Sequence, residues 1–170
     1  MFFKSPELLR SRLNAKEKES EQREVLTFSA FMFIFGFVIA GLNYRYGWIV
    51  LPNIVVVIAS VMFIISYIMY AEVLRENAFL LRTIEVKENQ VLVDTGMYGV
   101  VRHPMYAITI ILFLMIPLIL GSVISFIIFL IYPFIIVKRI RNEEKVLEKD
   151  LKGYKEYEKK VKYRLIPFIC

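Results

Sequence analysis

Apolar and polar positions are strongly segregated along this chain. Val25–Leu42, Tyr46–Ala71 and Pro104–Val137 together make 78 residues, and none is Asp, Glu, Lys or Arg. Between and around them the sequence is dense in charge. A charge at the centre of a bilayer costs about 2.5–3.5 kcal/mol on insertion scales, so charge-free blocks of this length predict membrane-spanning helices. Asn43-Tyr44-Arg45 is expected as a short turn between the first two spans, with Pro52 tolerated near the start of the second. The third block is too long for one crossing. Its 34 residues would rise about 51 Å as a single helix, against a hydrocarbon core of about 30 Å. Gly121-Ser122 is the expected break, giving a tight hairpin whose arms Pro117 and Pro133 kink further.

Composition sharpens the same picture. The chain has 170 residues, 58% hydrophobic and 22% charged. That combination excludes an ordinary soluble domain and a disordered chain. The net charge of +6 reads first as topology. Lys and Arg number 6 before Val25, 1 in the first turn, 4 in Glu72–His103 and 11 from Lys138 onward. With four spans, 21 of the 22 basic residues fall on one side, as the positive-inside rule requires of the cytoplasmic face. The expectation is therefore an all-α polytopic membrane protein. It has four transmembrane helices, the last two a tight hairpin, a cytoplasmic C-terminal helix and both termini cytoplasmic. Residues 1–24 form a polar and amphipathic segment, 25–103 two spans and a cytoplasmic loop, and 104–170 the hairpin and tail. Topology accounts for the basic excess, so nucleic acid is not an expected partner.

The N-terminus lacks the apolar core of a signal peptide. Ser5-Pro6-Glu7 is a helix start, and Phe2, Phe3, Leu8, Leu9 and Leu13 suit the headgroup surface. Cys170, the single cysteine, excludes an internal disulfide and sits wrongly for prenylation. One histidine and one cysteine cannot furnish a zinc or iron site.

The charge-free blocks hold no candidate chemistry, so it must lie on the cytoplasmic side. The loop continues helically through Phe79, Leu80 and Leu81. It then reads as extended over Val86–Val93 with a turn at Asn89-Gln90. Asp94-Thr95-Gly96 turns the chain back, and Tyr98 leads to Arg102-His103-Pro104-Met105-Tyr106 at the third span. Each residue has an ordinary reading. Pro104 opens a helix, His103 caps it, Arg102 is a juxtamembrane cation, and Tyr98 and Tyr106 belong to an aromatic belt. In the tail, Asn142-Glu143-Glu144 lies among lysines that make ordinary helix pairs. Ile140, Leu147, Leu151, Tyr154 and Val161 form an amphipathic stripe that Gly153 weakens.

Taken in order, Leu92, Val93, Gly96, Tyr98; Arg102, His103, Pro104, Tyr106; Glu143, Glu144; Tyr154, Tyr157; and Arg164, Pro167 form a pattern. It resembles the membrane methyltransferases that include isoprenylcysteine carboxyl methyltransferase and phospholipid N-methyltransferases. The resemblance covers Leu92 to Phe168. It implies S-adenosyl-L-methionine as cofactor, in a cytoplasmic-side pocket formed by the Arg-His-Pro-x-Tyr region and the helix carrying the glutamate pair. On that basis Leu92, Val93, Gly96, Tyr98, Arg102, His103, Pro104, Tyr106, Glu143 and Glu144 are the cofactor-binding candidates. The cofactor needs donors for its carboxylate, which Arg102, His103 and backbone N–H groups can supply. It needs acceptors for its ammonium and ribose, which Glu143 and Glu144 can supply. Tyr98 and Tyr106 offer faces for the sulfonium or adenine.

The expected partner is a lipophilic or lipid-modified acceptor entering from the membrane lipids. Arg139 could hold its carboxylate or phosphate. Glu144 and His103 are candidates to take a proton from an amine. These three are the catalytic candidates. An amine or small-thiol acceptor on the same scaffold stays open, as does a non-catalytic assembly or transport protein. A nicotinamide-dependent reductase would need more spans. Two positions depart from the pattern. Ile108 stands where glycine is frequent, which narrows the cavity expected for a lipid. Gly153 falls directly before Tyr154.

Overall fold

The computed structural model describes residues 20–77, 86 and 90–167. The Ser5-Pro6-Glu7 helix start with its apolar neighbours lies outside the described residues, as do Phe79–Leu81, Asn89, Phe168 and Cys170. The described chain is helical, with no strand. Its elements are α1 (Ser20–Tyr46), α2 (Asn53–Glu76), a 3-10 turn (Gly96–Gly99), α3 (Pro104–Ile119), α4 (Val123–Phe129), α5 (Tyr132–Asp150) and α6 (Tyr154–Lys160). By length and composition three stretches can cross a membrane: Arg23–Tyr46, Asn53–Glu76 and Val123–Asp150, the last running through α4 and α5. Pro104–Ile119 is apolar but shorter.

The first loop differs from expectation. Asn43, Tyr44 and Arg45 are the last turn of α1 rather than a turn between spans, and α2 starts only at Asn53. The reason is local. Pro52 has no N–H to continue a helix from the preceding residues, but it serves well just before one, as the N-cap of α2. Asn43 is buried and closes the loop with its side chain. Its Nδ2 donates to the carbonyls of Ile49 (2.9 Å) and Gly121 (3.2 Å), and its Oδ1 accepts from the Ile49 N–H (3.1 Å). One amide thus ties the first loop to the tip of the hairpin.

The break at Gly121-Ser122 is where the sequence placed it. The Ser122 side chain accepts from the Ser125 N–H at 3.2 Å and starts α4. The second arm is not one straight helix. It is interrupted at Leu130-Ile131 and resumes with Pro133 in the first turn of α5. Proline cannot donate, so the ladder is offset there. The tail divides in the same way, α5 ending at Asp150 and α6 restarting after Gly153.

The backbones of α1 and α4 approach closely at Gly36. The Ser125 hydroxyl donates to the Gly36 carbonyl at 2.8 Å. A Cβ on Gly36 would lie 2.3 Å from a ring carbon of Phe129. Phe129 is fully buried, with Phe33 edge-on at 5.2 Å between centroids. Small residues at a helix crossing are what apolar surroundings require, because only close backbone approach gives dispersion contact that lipid does not already supply. Met32, Tyr106, Tyr132, Ile136, Ile140 and Leu165 complete this core. α2 packs along α3 instead, joined by Val73, Tyr98 and Ile108. The outward faces of α1 and α2 stay apolar and exposed, including Phe31, Ile34, Ile58 and Ile68. Such continuous apolar surface suits lipid and not water.

Gly36→Ala should lower the thermal unfolding temperature in detergent, with about 1–3 kcal/mol lost to overpacking. Adding Phe129→Leu should recover part of the loss. Full stability of the single variant would show that α1 and α4 do not approach as described.

Candidate functional site

The polar end of the bundle gathers residues from the entry to α3, from α5 and from the tail. The backbone does the first part. The N–H groups of Arg102 and His103 donate to the carbonyls of Tyr163 (2.8 Å) and Arg164 (2.9 Å). This pairing lays the tail across the start of α3, where Pro104 occupies the first turn and His103 the cap position.

The Arg102 side chain is buried and its donors are fully used. Nε and Nη2 donate to Glu144 Oε1 at 3.0 and 2.8 Å. Nη1 donates to the carbonyls of Val161 (2.9 Å) and Lys162 (3.2 Å). Nη2 also lies 3.1 Å from Glu158 Oε1. Its three nitrogens thus make five contacts with four acceptor atoms. His103 Nε2 lies 3.2 Å from the same Glu144 oxygen. The other oxygen, Oε2, receives Arg164, with both Nε and Nη2 at 2.8 Å.

Glu144 is therefore a buried carboxylate shared by three cationic or potentially cationic groups from two other segments. It lies two turns beyond Val137, outside the apolar stretch of α4 and α5. Burial alone would raise its pKa. The hydrogen bonds from His103, Arg164 and Arg102 outweigh that and hold it down at about 2. Ionised Glu144 can only accept, so its contact with His103 requires the proton on Nε2.

A second chain runs beside it. Arg139 Nε donates to the Tyr106 hydroxyl at 2.9 Å, and Tyr106 donates to Glu143 Oε2 at 2.6 Å. Tyr106 and Arg139 are buried, and Glu143 is half-buried. The glutamate pair thus splits its work. Glu144 binds the entry to α3 and the tail, while Glu143 reaches back to α3 one turn further in.

The remaining predicted residues pack into the neighbouring apolar clusters and turn. Tyr98 is buried in the 3-10 turn, and its carbonyl accepts from the Tyr157 hydroxyl at 2.7 Å. Gly96 has φ +56°, and a Cβ there would stand 2.0 Å from the Glu76 carboxylate. That carboxylate accepts from the Met97 N–H at 3.0 Å, which ties the turn to α2, and glycine takes the left-handed φ there without strain. Leu92 packs with Leu151, Tyr154, Tyr157 and Val161, and Val93 with Val73 and Tyr98. Pro104 is buried at the head of α3. Ile108 is buried against Val73 and Tyr98, so its bulk fills space between α2 and α3.

The structure brings Arg102, His103, Tyr106, Arg139, Glu143 and Glu144 together, and sets Leu92, Val93, Gly96 and Tyr98 around them. Sequence reasoning gave no role to Glu76, Glu158 or Arg164. The Arg-x-x-Pro at the tail was the available sign for Arg164. Nothing in the local sequence distinguishes Glu76 or Glu158 from a solvated acid.

An all-helical bundle with lipid-facing apolar helices and a buried ionic cluster at its polar end defines an integral membrane protein with a built polar site. Residues 55–149 match the model of the isoprenylcysteine carboxyl methyltransferase (ICMT) family, and the chain belongs to that family of methyltransferases. The match includes Arg102, His103, Arg139 and both glutamates and stops short of α6 and the tail. No curated protein matches the chain.

Glu144→Gln removes the charge that Arg102 and Arg164 face. Breaking one side of a buried pair costs about 3–5 kcal/mol, so this variant should unfold at a clearly lower temperature. The same group sets an acid limit. Its folded pKa lies below its ordinary value of 4.5, so its contribution is complete above that value and is lost as pH falls towards about 2. Wild-type stability should drop across that window, and Glu144→Gln should flatten the drop. A variant with the same acid profile as wild type would remove Glu144 from its central place.

Proposed function

We propose that this protein transfers a methyl group from S-adenosyl-L-methionine to a lipophilic acceptor that reaches the site from the bilayer. One observation carries the reading. Arg102-His103 and Glu143-Glu144, about forty residues apart, converge at the polar end of an apolar bundle in a chain of the ICMT family. The arrangement of basic residues supports four crossings, with α3 as the short one and both termini cytoplasmic. The site then lies at the cytoplasmic surface, where a soluble cofactor and a membrane-borne acceptor can meet.

The donor set fits the cofactor's charges. The N–H groups in the first turn of α3 suit its carboxylate, while the N–H groups of Arg102 and His103 and the His103 Nε2 already serve the tail and Glu144. Glu143 suits the ammonium or ribose hydroxyls, and the rings of Tyr98 and Tyr106 suit the sulfonium or adenine. When bound, S-adenosyl-L-methionine supplies an electrophilic methyl on a sulfonium. Arg102 has no N–H left for a ligand, so it acts by fixing Glu144, the tail and the entry to α3. Glu144 is a positioning residue as well, because a carboxylate held at about pKa 2 takes up a proton poorly at neutral pH. Leu92, Val93, Gly96 and Pro104 shape the walls. Arg139 holds an anionic group of the acceptor beside Tyr106. The residues contribute alignment and exclusion of water, the main requirements of an in-line displacement.

A second reading keeps the cofactor and changes the acceptor. Glu143, oriented by the Tyr106 hydroxyl that Arg139 holds, is a carboxylate able to take a proton from an acceptor. A carboxylate acceptor is already ionised at neutral pH and needs no such base, whereas an amine does.

Calorimetry of the detergent-solubilised protein should show saturable binding of S-adenosylhomocysteine. His103→Ala and Glu144→Ala should abolish it. Binding that survives both changes would overturn this site, and no binding by wild type would overturn the cofactor. Labelled methyl transfer into a membrane lipid extract, read by mass spectrometry, should then separate a carboxyl from an amine product.

A further inference from the structure

Tyr154 carries a hydroxyl that the fold buries and leaves unsatisfied. The residue opens α6 and is 3% exposed. Among the described residues its oxygen has no hydrogen-bond partner. The ring is well held, packed with Leu151, Tyr157 and Val161 and 5.8 Å from the Tyr157 ring. The neighbouring phenol is satisfied, since Tyr157 donates to the Tyr98 carbonyl. The orphan therefore belongs to Tyr154 and not to the cluster as a whole. A phenol buried without a partner is less favourable than phenylalanine in the same place. A site that keeps one is suited to a group that meets it there.

The surroundings say what kind of group. After burial, the charges acting on this phenol are those of Glu144, Arg102, Glu143 and Glu158, the residues of the ionic cluster. Burial and Glu144 push it above its ordinary range, so it stays protonated and can donate. Tyr154 stands on the tail side of the cluster, beyond the apolar stretch of α4 and α5.

We infer that the Tyr154 hydroxyl is a cofactor-binding group, donating a hydrogen bond to an acceptor atom of the nucleoside or amino-acid part of S-adenosyl-L-methionine. The inference rests on the cofactor reading above. It extends the binding site onto α6, beyond the residues that the family match covers.

The test is Tyr154→Phe in the full-length, detergent-solubilised protein, measured twice. Without ligand its unfolding temperature should equal or exceed that of wild type, because the variant sheds an unsatisfied group. Its affinity for S-adenosylhomocysteine should fall about 3- to 10-fold, the span of one hydrogen bond. Tyr157→Phe should do the reverse to stability, because it leaves the Tyr98 carbonyl without its donor. Equal affinity of Tyr154→Phe and wild type would overturn the inference alone and leave the hydroxyl to a buried water. A lower unfolding temperature for Tyr154→Phe would overturn it too, by showing a structural partner. Absence of binding by wild type would overturn the cofactor reading and this inference together.

Discussion

A carboxylate taken out of water must be met by donors on both oxygens, or it protonates. Glu144 is met by Arg102 and His103 from the entry to α3 and by Arg164 from the tail. These partners are distant in sequence, so the carboxylate can be satisfied only when the hairpin has returned α5 to the polar end where α3 begins. The requirement is stronger beside a membrane, where fewer waters are at hand to substitute. The burial of Glu144, the path of the tail and the geometry of the site are one constraint seen from three sides.

Apolar packing supplies the frame for this constraint. In lipid, burying an apolar side chain gains little over leaving it exposed, so helices associate through close contact and a few polar ties. Both kinds of tie are present at separate depths. Gly36, Ser125 and Phe129 bring α1 against α4 within the apolar zone. Asn43 joins the first loop to the hairpin tip at the end away from the site. With these ends fixed, α5 has little freedom in where it delivers Arg139, Glu143 and Glu144.

The site combines rigid and adaptable parts. Arg102 is saturated and cannot turn to a ligand without breaking its contacts with Glu144 and the tail. Arg164 is different, because its side chain is 47% exposed and reaches Glu144 from the edge. Tyr106 lies between a guanidinium and a carboxylate, which together fix the direction of its hydroxyl. Such a division places binding energy in the fixed groups and leaves adjustment to the rim.

Much of this was legible in the sequence. Segregation of charge determined the apolar helices, because a mid-membrane charge is too costly to ignore. The hairpin break followed from Gly121-Ser122 and the length of the block. The family resemblance, with the hairpin between them, implied that Arg102-His103 and Glu143-Glu144 meet. Boundaries were less legible: Asn43–Arg45 read as a turn, because three polar residues look alike at a helix end and in a loop. Only the tertiary structure decided which glutamate would be saturated. Neighbours in sequence, Glu143 and Glu144 point about 100° apart on a helix, so each meets a different set of partners. It also decided that Arg102 serves the fold, that Glu76 and Glu158 join the site, and that Tyr154 is buried without a partner among the described residues. Local sequence carries hydrophobic period and charge cost, but saturation of a donor depends on which distant segments arrive beside it.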